Sequence, residues 1–205
     1  MVQRPEDSKE DAAVHARHAA LVRRARDGED NAFGELYESL APALFTWADY
    51  RLRLGPKVDP LDVVQETWCR AWNRLESFDP ERVPFRAWLF RIAKNVAMEG
   101  LRRARSARGE ASGPSTRLFA LANLPDSITA VSQRMLRQER MASFRATLEA
   151  LPEEERKLAV HCGLEGLPHR EVADRLELSV AAVGKRWQRL RKRLVDEGLP
   201  EALVR

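Results

Sequence analysis

The fold of this chain is decided by residues 167–194, which read LPHREVADRLELSVAAVGKRWQRLRKRL. Proline suits the first turn of a predicted short helix over 168–176, and Ser179 is a good N-cap for a second helix from Val180. Apolar residues at helical spacing give both helices a shared core: Val172, Ala173, Leu176, Leu178, Val183, Trp187 and Leu190. Two helices joined by the short turn 177–179 are typical of a helix-turn-helix, whose second helix enters the major groove of DNA.

The second of these helices carries a run of cations with no acid among them, whereas acids occur in the helix before it. One interpretation is a solvated basic surface that suits the negative end of the helix dipole. The exclusion of acids from this helix favours DNA binding instead. The cations are Lys185, Arg186, Arg189, Arg191, Lys192 and Arg193.

The whole chain is predicted to be all-α, with two small helical domains joined by a flexible linker. Ala, Leu, Arg and Glu dominate the periodic stretches, and no alternating Val, Ile and Thr run predicts a strand. We expect a disordered tail over 1–14, a first domain over 15–105, a linker over 106–130 and the helix-turn-helix domain over 131–199. The linker is rich in Ser, Gly and Pro but contains apolar residues that should dock on some surface: Leu118, Phe119, Leu121 and Leu124.

Four helices are predicted in the first domain. The first covers 15–27, and the second begins near Asn31 as its cap and is kinked by Pro42. The third covers 61–75, and the fourth runs from Phe85 to about Arg105. The expected core comprises Phe33, Leu36, Tyr37, Leu40, Leu44, Phe45 and Ala48, then Leu61, Val64, Trp68, Ala71 and Leu75, and finally Phe85, Trp88, Leu89, Ile92 and Val96.

The third and fourth helices have polar faces of opposite chemistry. The face of the third is mixed, and periodicity alone cannot distinguish an interface from a solvated surface there. The face of the fourth is basic, as a surface that follows phosphates must be. Phe85, Phe90 and Trp88 either stack on unpaired bases or belong to the core, and helical spacing favours the core for Phe85 and Trp88.

Composition excludes several classes of protein. Of the 205 residues, 44% are hydrophobic and 32% charged, which is enough to bury a core, and the net charge of +4 is too small for a histone-like coat. Two distant cysteines, Cys69 and Cys162, exclude a disulfide scaffold and fit a reducing compartment. No signal peptide and no apolar run of membrane-spanning length is present.

Catalysis finds little support in the sequence. The histidines form no metal-binding pair with nearby carboxylates, and there is no phosphate-binding glycine loop or nucleophile elbow. The acidic run Glu153–Glu155 indicates a helix start that complements the dipole. We therefore expect no enzyme, no cofactor and no metal.

Three segments carry specific motifs in order. Residues 62–72 read DVVQETWCRAW, and residues 85–95 read FRAWLFRIAKN. The third segment contains Leu151-Pro152, then LEGL over 164–167, EVA over 171–173 and SVAAV over 179–183. Together they resemble the extracytoplasmic-function (ECF) subfamily of bacterial RNA polymerase sigma factors, over roughly 20–105 and 140–195.

The resemblance implies a sigma factor with several macromolecular partners. The helix matching 62–72 would dock on the clamp helices of core RNA polymerase. The loop 77–84 and the helix from Phe85 would read and melt the -10 promoter element, with one flipped base held by the loop. Val180–Arg189 would read the double-stranded -35 element, and the linker would thread through polymerase. An anti-sigma factor is a further expected partner, and we expect a cytoplasmic, nucleoid-associated protein without membrane insertion.

The resemblance also implies three sets of contact residues. For the -35 element these are Ser179, Val180, Ala181, Ala182, Lys185, Arg186, Gln188 and Arg189. For the -10 element and melting they are Phe85, Trp88, Arg91, Lys94, Asn95, Met98, Arg102, Arg103 and Arg105. For polymerase they are Asp62, Gln65, Glu66, Cys69, Arg70 and Asn73.

The chain departs from the family pattern in the helix-turn-helix. Gly184 stands where a lysine is common, which weakens the helix by ~1 kcal/mol relative to Ala and removes a phosphate contact. Ala181 and Ala182 replace commoner Gly and Thr, and Glu177 stands where a glycine often makes the turn. The promoter sequence therefore stays open.

Two other functions remain as alternatives. A stand-alone helix-turn-helix regulator would need only the C-terminal domain and would leave 62–72 unexplained. An RNA-binding or protein-adaptor module would leave the basic faces merely solvated. The polar face of the third helix separates the three hypotheses, because only a sigma factor requires a large protein partner there.

Overall fold

The computed structural model describes residues 5–53, 57–106 and 146–198, and all regular structure within these ranges is helical. Residues 18–106 belong to one compact unit, the N-terminal unit, and residues 146–198 belong to the other, the C-terminal unit. The predicted all-α class with two helical regions is confirmed. Residues 107–130 of the predicted linker, with their four apolar side chains, and the predicted domain start at 131 lie outside the described residues. None of the described helices is long and apolar enough to cross a membrane.

The N-terminal part of the chain forms four α-helices and one short 3₁₀ turn. They are α1 (Pro5–Arg26), α2 (Asp30–Leu52), α3 (Pro60–Asn73), the 3₁₀ turn Leu75–Ser77 and α4 (Phe85–Ser106). The start of α1 precedes the predicted start at His15, so residues 5–14, predicted as a tail, are helical. Proline suits a first helical turn, and no glycine or second proline interrupts the turns that follow.

The beginnings of α2 and α3 differ in how they are capped. The N-cap position of α2 is Glu29, so the prediction that Asn31 caps this helix is wrong. The chain turns at Gly28, where φ is +90°, and α2 therefore starts before Asn31. In α3, Asp59 accepts a hydrogen bond of 2.9 Å from the backbone N–H of Leu61, and Pro60 occupies the first helical position.

The core of the N-terminal unit is an aromatic cluster centred on Trp68, which is fully buried. Its ring centroid lies 5.0 Å from that of Tyr37, 5.4 Å from that of Phe33 and 6.3 Å from that of Phe85. Aromatic pairs at such distances add about 0.5–1.5 kcal/mol each beyond the burial of their area. The core residues predicted for this unit are buried, with the exception of three half-buried side chains, Phe45, Leu61 and Trp88.

The C-terminal unit places its helix-turn-helix on a short scaffold. Residues 146–150 are helical and are followed by α5 (Glu153–Leu158), a π-helical segment (Ala159–Leu164), α6 (His169–Leu176) and α7 (Val180–Asp196). The predicted short helix, turn and second helix are confirmed within one residue. The core of this unit includes Leu148, Leu158, Leu164, Val172, Val183, Leu190 and Leu194.

A glycine in the π-helical segment allows α7 to approach closely. A Cβ atom at Gly163 would lie 2.8 Å from the Cη2 atom of Trp187, closer than real Cβ contacts. The indole ring therefore packs directly against backbone, and Trp187 is buried although it belongs to a helix with a charged outer face. The neighbouring Cys162 is also buried, and burial raises the pKa of its thiol to about 12.

Candidate nucleic-acid interface

The first turn of α7 is fixed by its cap. The hydroxyl of Ser179 accepts a hydrogen bond of 3.1 Å from the backbone N–H of Ala182, as predicted. Val183, Trp187, Leu190 and Leu194 form the buried stripe of the helix. Every predicted -35 contact is exposed except Ala182, which is half-buried; the exposed residues are Ser179, Val180, Ala181, Lys185, Arg186, Gln188 and Arg189.

The turn before α7 adopts a conformation that favours glycine. Glu177 has φ +54° and ψ +41°, the left-handed helical region. This geometry lets the backbone N–H of Leu178 donate to the carbonyl of Ala173 at 3.0 Å, closing the end of α6. A side chain with a Cβ atom is strained there by roughly 1–2 kcal/mol. Glu177 thus makes the turn at a position where the family pattern often has a glycine.

Carboxylates from α5 hold two of the α7 cations. Arg186 lies 3.1 Å from Glu154, and Arg193 donates two hydrogen bonds to Glu155, at 2.5 and 3.3 Å. Hydrogen bonding to Glu155 raises the pKa of Arg193 above its usual value. These pairs are solvent-exposed, so each contributes little stability.

The basic face of α4 runs the length of the helix. The residues predicted on this face are all exposed: Arg91, Lys94, Asn95, Met98, Arg102, Arg103 and Arg105. On the opposite side, Leu89, Ile92 and Val96 are buried. The side chain of Met98 is an exposed apolar group within this otherwise polar surface. The face therefore has the spacing and charge of a surface that follows phosphates.

The aromatic residues at the start of α4 divide into core and edge. Phe85 is fully buried between Phe78, at 5.3 Å, and Trp88, at 5.5 Å. The prediction that Phe85 contacts DNA is thus contradicted by its position, and the cause is its membership of the apolar stripe. Trp88 is half-buried and stacks at 5.0 Å on Phe78.

The polar face of α3 is partly occupied by an ion-pair network. The guanidinium group of Arg70 donates to Glu66 at 2.8 Å and to both oxygens of Glu99 on α4, at 3.0 and 2.7 Å. The hydrogen bond to Glu99 is the main cause that raises the pKa of Arg70, and the bond to Glu66 adds to it. The same bond with Arg70 lowers the pKa of Glu99. Arg70 therefore joins two helices of the same unit.

The other predicted polymerase contacts differ in exposure. Asp62, Gln65 and Glu66 are half-buried, and Asn73 is exposed. Cys69 is buried, so its prediction as a surface contact is contradicted. Burial, with Glu66 nearby, raises the pKa of the Cys69 thiol to about 11. The helical period places Cys69 about 100° from Trp68, among the polar residues of α3, so its burial comes from packing against other parts of the unit and not from the apolar stripe.

Sequence reasoning missed the residues that position these surfaces. Glu99 lies on the basic helix but bonds across to α3, and Glu154 and Glu155 were interpreted only as a helix start. The one available signal was their charge beside a strongly basic surface. Their partners are 29, 32 and 38 residues away in the chain, a separation that no helical period encodes.

Models of two protein families match the chain, one in each unit. The model described as Sigma-70 region 2 matches residues 36–107, and the model described as Sigma-70, region 4 matches residues 141–194. The stand-alone regulator hypothesis and the adaptor hypothesis do not account for the first match.

Curated relatives agree with these matches, and one solved structure is similar. The chain is 36% identical over 184 residues to the RNA polymerase sigma factor CnrH of Cupriavidus metallidurans, covering 85% of this chain and 90% of that protein. It is 30% identical over 186 residues to the ECF RNA polymerase sigma-E factor of Salmonella typhimurium, covering 88% and 93%. A solved structure of CnrH in complex with the cytosolic domain of CnrY is similar with 31% identity and a TM-score of 0.41, covering 89% of this chain and 99% of that one.

Both relatives are matched over most of their length at 30% identity or more, and the two family models correspond to the two helical units. Sigma factors are not enzymes; they bind core RNA polymerase and promoter DNA. The chain therefore belongs to the ECF subfamily of sigma-70 family sigma factors, and it directs promoter-specific initiation of transcription with core RNA polymerase.

Proposed function

We propose that the first turns of α7 read the -35 element in the major groove. Lys185, Arg186 and Arg189 supply the cations for this contact, and Ser179 and Gln188 supply neutral hydrogen-bonding groups. The observation that carries the proposal is the exposure of this residue set opposite a buried stripe. In a helix-turn-helix, the N-terminal residues of the second helix contact base edges.

The -10 element meets the basic face of α4 and the loop 77–84 in this proposal. Arg91, Lys94, Arg102, Arg103 and Arg105 follow the phosphates, while Asn95 and Met98 face the bases. Trp88 is half-exposed at the edge of the loop and stacks on an unpaired base. Phe85 supports Trp88 from the core and makes no DNA contact.

The α3 surface docks on polymerase through Asp62, Gln65, Glu66 and Asn73. Arg70 acts from behind this surface, because its guanidinium group is already bound to Glu66 and Glu99. Cys69 is omitted from the docking surface because it is buried. The proposed interface is thus polar, acidic at one end, and braced against α4.

The proposal assigns one role to each domain. The first domain, residues 15–105, docks on polymerase and reads the -10 element, and the second, residues 131–199, reads the -35 element. The linker, residues 106–130, threads through polymerase between them. The chain works in the cytoplasm at the nucleoid. CnrH has been solved with the cytosolic domain of CnrY. On the strength of its sequence relationship to CnrH, this chain is held inactive by an anti-sigma protein that binds it.

Selection from a randomised promoter library tests the two DNA assignments together. Bacterial core RNA polymerase with the full-length chain should enrich two sequence elements at a fixed spacing. The variant Lys185→Ala with Arg186→Ala and Arg189→Ala should lose the upstream element alone. The variant Arg91→Ala with Lys94→Ala and Arg102→Ala should lose enrichment of the downstream element. Lys157→Ala, which removes a cation from α5, is the control and should leave both elements intact. Retention of the upstream element by the α7 variant would contradict the assignment of α7.

Co-elution with core polymerase tests the α3 surface. Gln65→Ala combined with Glu66→Ala should weaken binding by about tenfold, the effect of removing an important interface contact. Glu76→Ala, an exposed acid on the neighbouring 3₁₀ turn, is the control. Equal affinity of both variants would show that the docking surface lies elsewhere.

A further inference from the structure

An arginine at the end of α1 binds the backbone that leads into the loop 77–84. The Nε group of Arg26 donates to the carbonyl of Leu75 at 3.1 Å, and its Nη2 group donates to the same oxygen at 2.6 Å. The Nη2 group also bonds the carbonyls of Glu76, at 3.3 Å, and Phe78. One guanidinium group thus donates hydrogen bonds to three carbonyls, two in the 3₁₀ turn and one in the residue that follows it.

The contact fixes the loop at its first residues. The carbonyl of Leu75 already accepts a hydrogen bond of 3.1 Å from the backbone N–H of Phe78. The last carbonyls of a helical turn lack partners within the turn, and the guanidinium group of Arg26 supplies donors there. A guanidinium group suits this role because its donors form a rigid planar fork, whereas the ammonium group of lysine is a single point of charge. Arg26 is part-buried where it bonds Leu75, so water competes less for the same oxygens.

The rest of the loop is held by separate contacts. The ring of Phe78 is buried against Phe85 and Trp88. Asp79 accepts a hydrogen bond of 2.9 Å from the backbone N–H of Glu81. The exposed residues are Asp79, Glu81, Arg82 and Pro84. Arg26 therefore lies at the base of a loop whose outer residues face solvent.

We infer that Arg26 is a positioning residue for recognition of an unpaired promoter base. It touches no DNA in this role; it sets the backbone from which the loop presents its groups to the flipped base. The inference rests on the proposed function of the loop in reading the melted -10 element. Base selectivity requires donors and acceptors at fixed positions, so loosening the base of the loop reduces discrimination between bases more than it reduces overall DNA binding.

The test uses the full-length chain bound to core RNA polymerase and a fork-junction promoter with an unpaired downstream element. Affinity is measured for the preferred sequence and for sequences with each unpaired base replaced in turn. Arg26→Lys retains the charge and should lower the discrimination ratio by about tenfold at one base, as expected for lost hydrogen bonds to a charged group. Affinity for the duplex -35 element and for core polymerase should not change.

Arg24→Lys is the matched control. Arg24 lies on the same helix but pairs with Glu29 and Glu35, and so it should leave discrimination unchanged. If Arg26→Lys discriminates as the unaltered chain does, or weakens binding to all sequences equally, the inference is wrong while the proposed function stands. If the unaltered chain itself prefers no unpaired base, the proposed role of the loop fails and the inference fails with it.

Discussion

The two basic helices, α4 and α7, present similar charges but are held by different means. The start of α7 is fixed by neighbours in sequence, through the Ser179 cap and the turn at Glu177. The start of α4 is fixed from a distance, by the aromatic core and by a loop bound to Arg26. A duplex has a regular groove that one rigid helix end can read, whereas an unpaired strand requires a helix and a loop held together. We therefore expect the DNA surface of the N-terminal unit to depend more strongly on its core.

The largest effect is expected when the side chain at the centre of that core is removed. Trp68→Ala should lower the free energy of unfolding of the N-terminal unit by about 3–5 kcal/mol, because a fully buried indole leaves a cavity. Denaturant unfolding followed by circular dichroism should show this loss in the transition of the N-terminal unit. The transition of the C-terminal unit should not change. Trp72→Ala, at the half-buried neighbour on α3, is the control and should have a smaller effect. Equal losses would show that Trp68 is not the centre of the core.

A second test asks how tightly α7 is packed on its scaffold. Gly163→Ala should destabilise the C-terminal unit by about 1–3 kcal/mol, because the new Cβ atom would overlap Trp187. Gly184→Ala is the control in the same unit. A Cβ atom there lies 3.5 Å from His169, an ordinary contact, and alanine should stabilise α7 by about 1 kcal/mol. Thermal unfolding midpoints that move in the same direction would contradict this account of the packing.

The local fixing of α7 can be strengthened as well as broken. Glu177→Gly should stabilise the C-terminal unit by about 0.5–1 kcal/mol, since glycine relieves the strain of a positive φ but gains freedom in the unfolded chain. Glu177→Ala retains the Cβ atom and should give no such gain. Urea unfolding of both variants measures the difference. A gain of the same size with alanine would show that the effect comes from removing the carboxylate charge and not from backbone conformation.

The smallest effect concerns the carboxylates beside the α7 cations. Glu154→Gln should raise the affinity of the holoenzyme for promoter DNA by about twofold, because exposed ion pairs contribute only a few tenths of a kcal/mol. Fluorescence anisotropy with a labelled promoter fragment measures the change. Glu153→Gln is the matched control, since Glu153 pairs with Lys157 and not with α7. A tenfold gain would indicate that Glu154 holds Arg186 away from DNA far more strongly than an exposed pair should.

Much of this architecture could be predicted from the sequence, because it depends on local rules. The helical period gave the buried stripes of α3, α4 and α7, and cap chemistry identified Ser179. The exposed basic faces followed directly from those stripes. The contact sets remain predictions for the residues that lie on these faces, while burial removes Phe85 and Cys69 from them.

The remainder depends on contacts between distant parts of the chain. The bond from Arg70 to Glu99 joins two helices, and that from Arg26 to Leu75 joins residues 49 apart. Neither is encoded by a local period. The positive φ at Glu177 could not be predicted from residue preference either, because the left-handed conformation is expected of glycine and not of glutamate.

Each unit contains one of the two cysteines, Cys69 in the first and Cys162 in the second, and both are buried with raised pKa values. A thiol reacts with alkylating reagents as its thiolate, so both should be inert until the surrounding unit opens. Mass spectrometry after a pulse of reagent would then record the opening of each unit separately in a single experiment. Each unit thus contains its own labelling site, and its rate of opening can be measured while polymerase or promoter DNA binds.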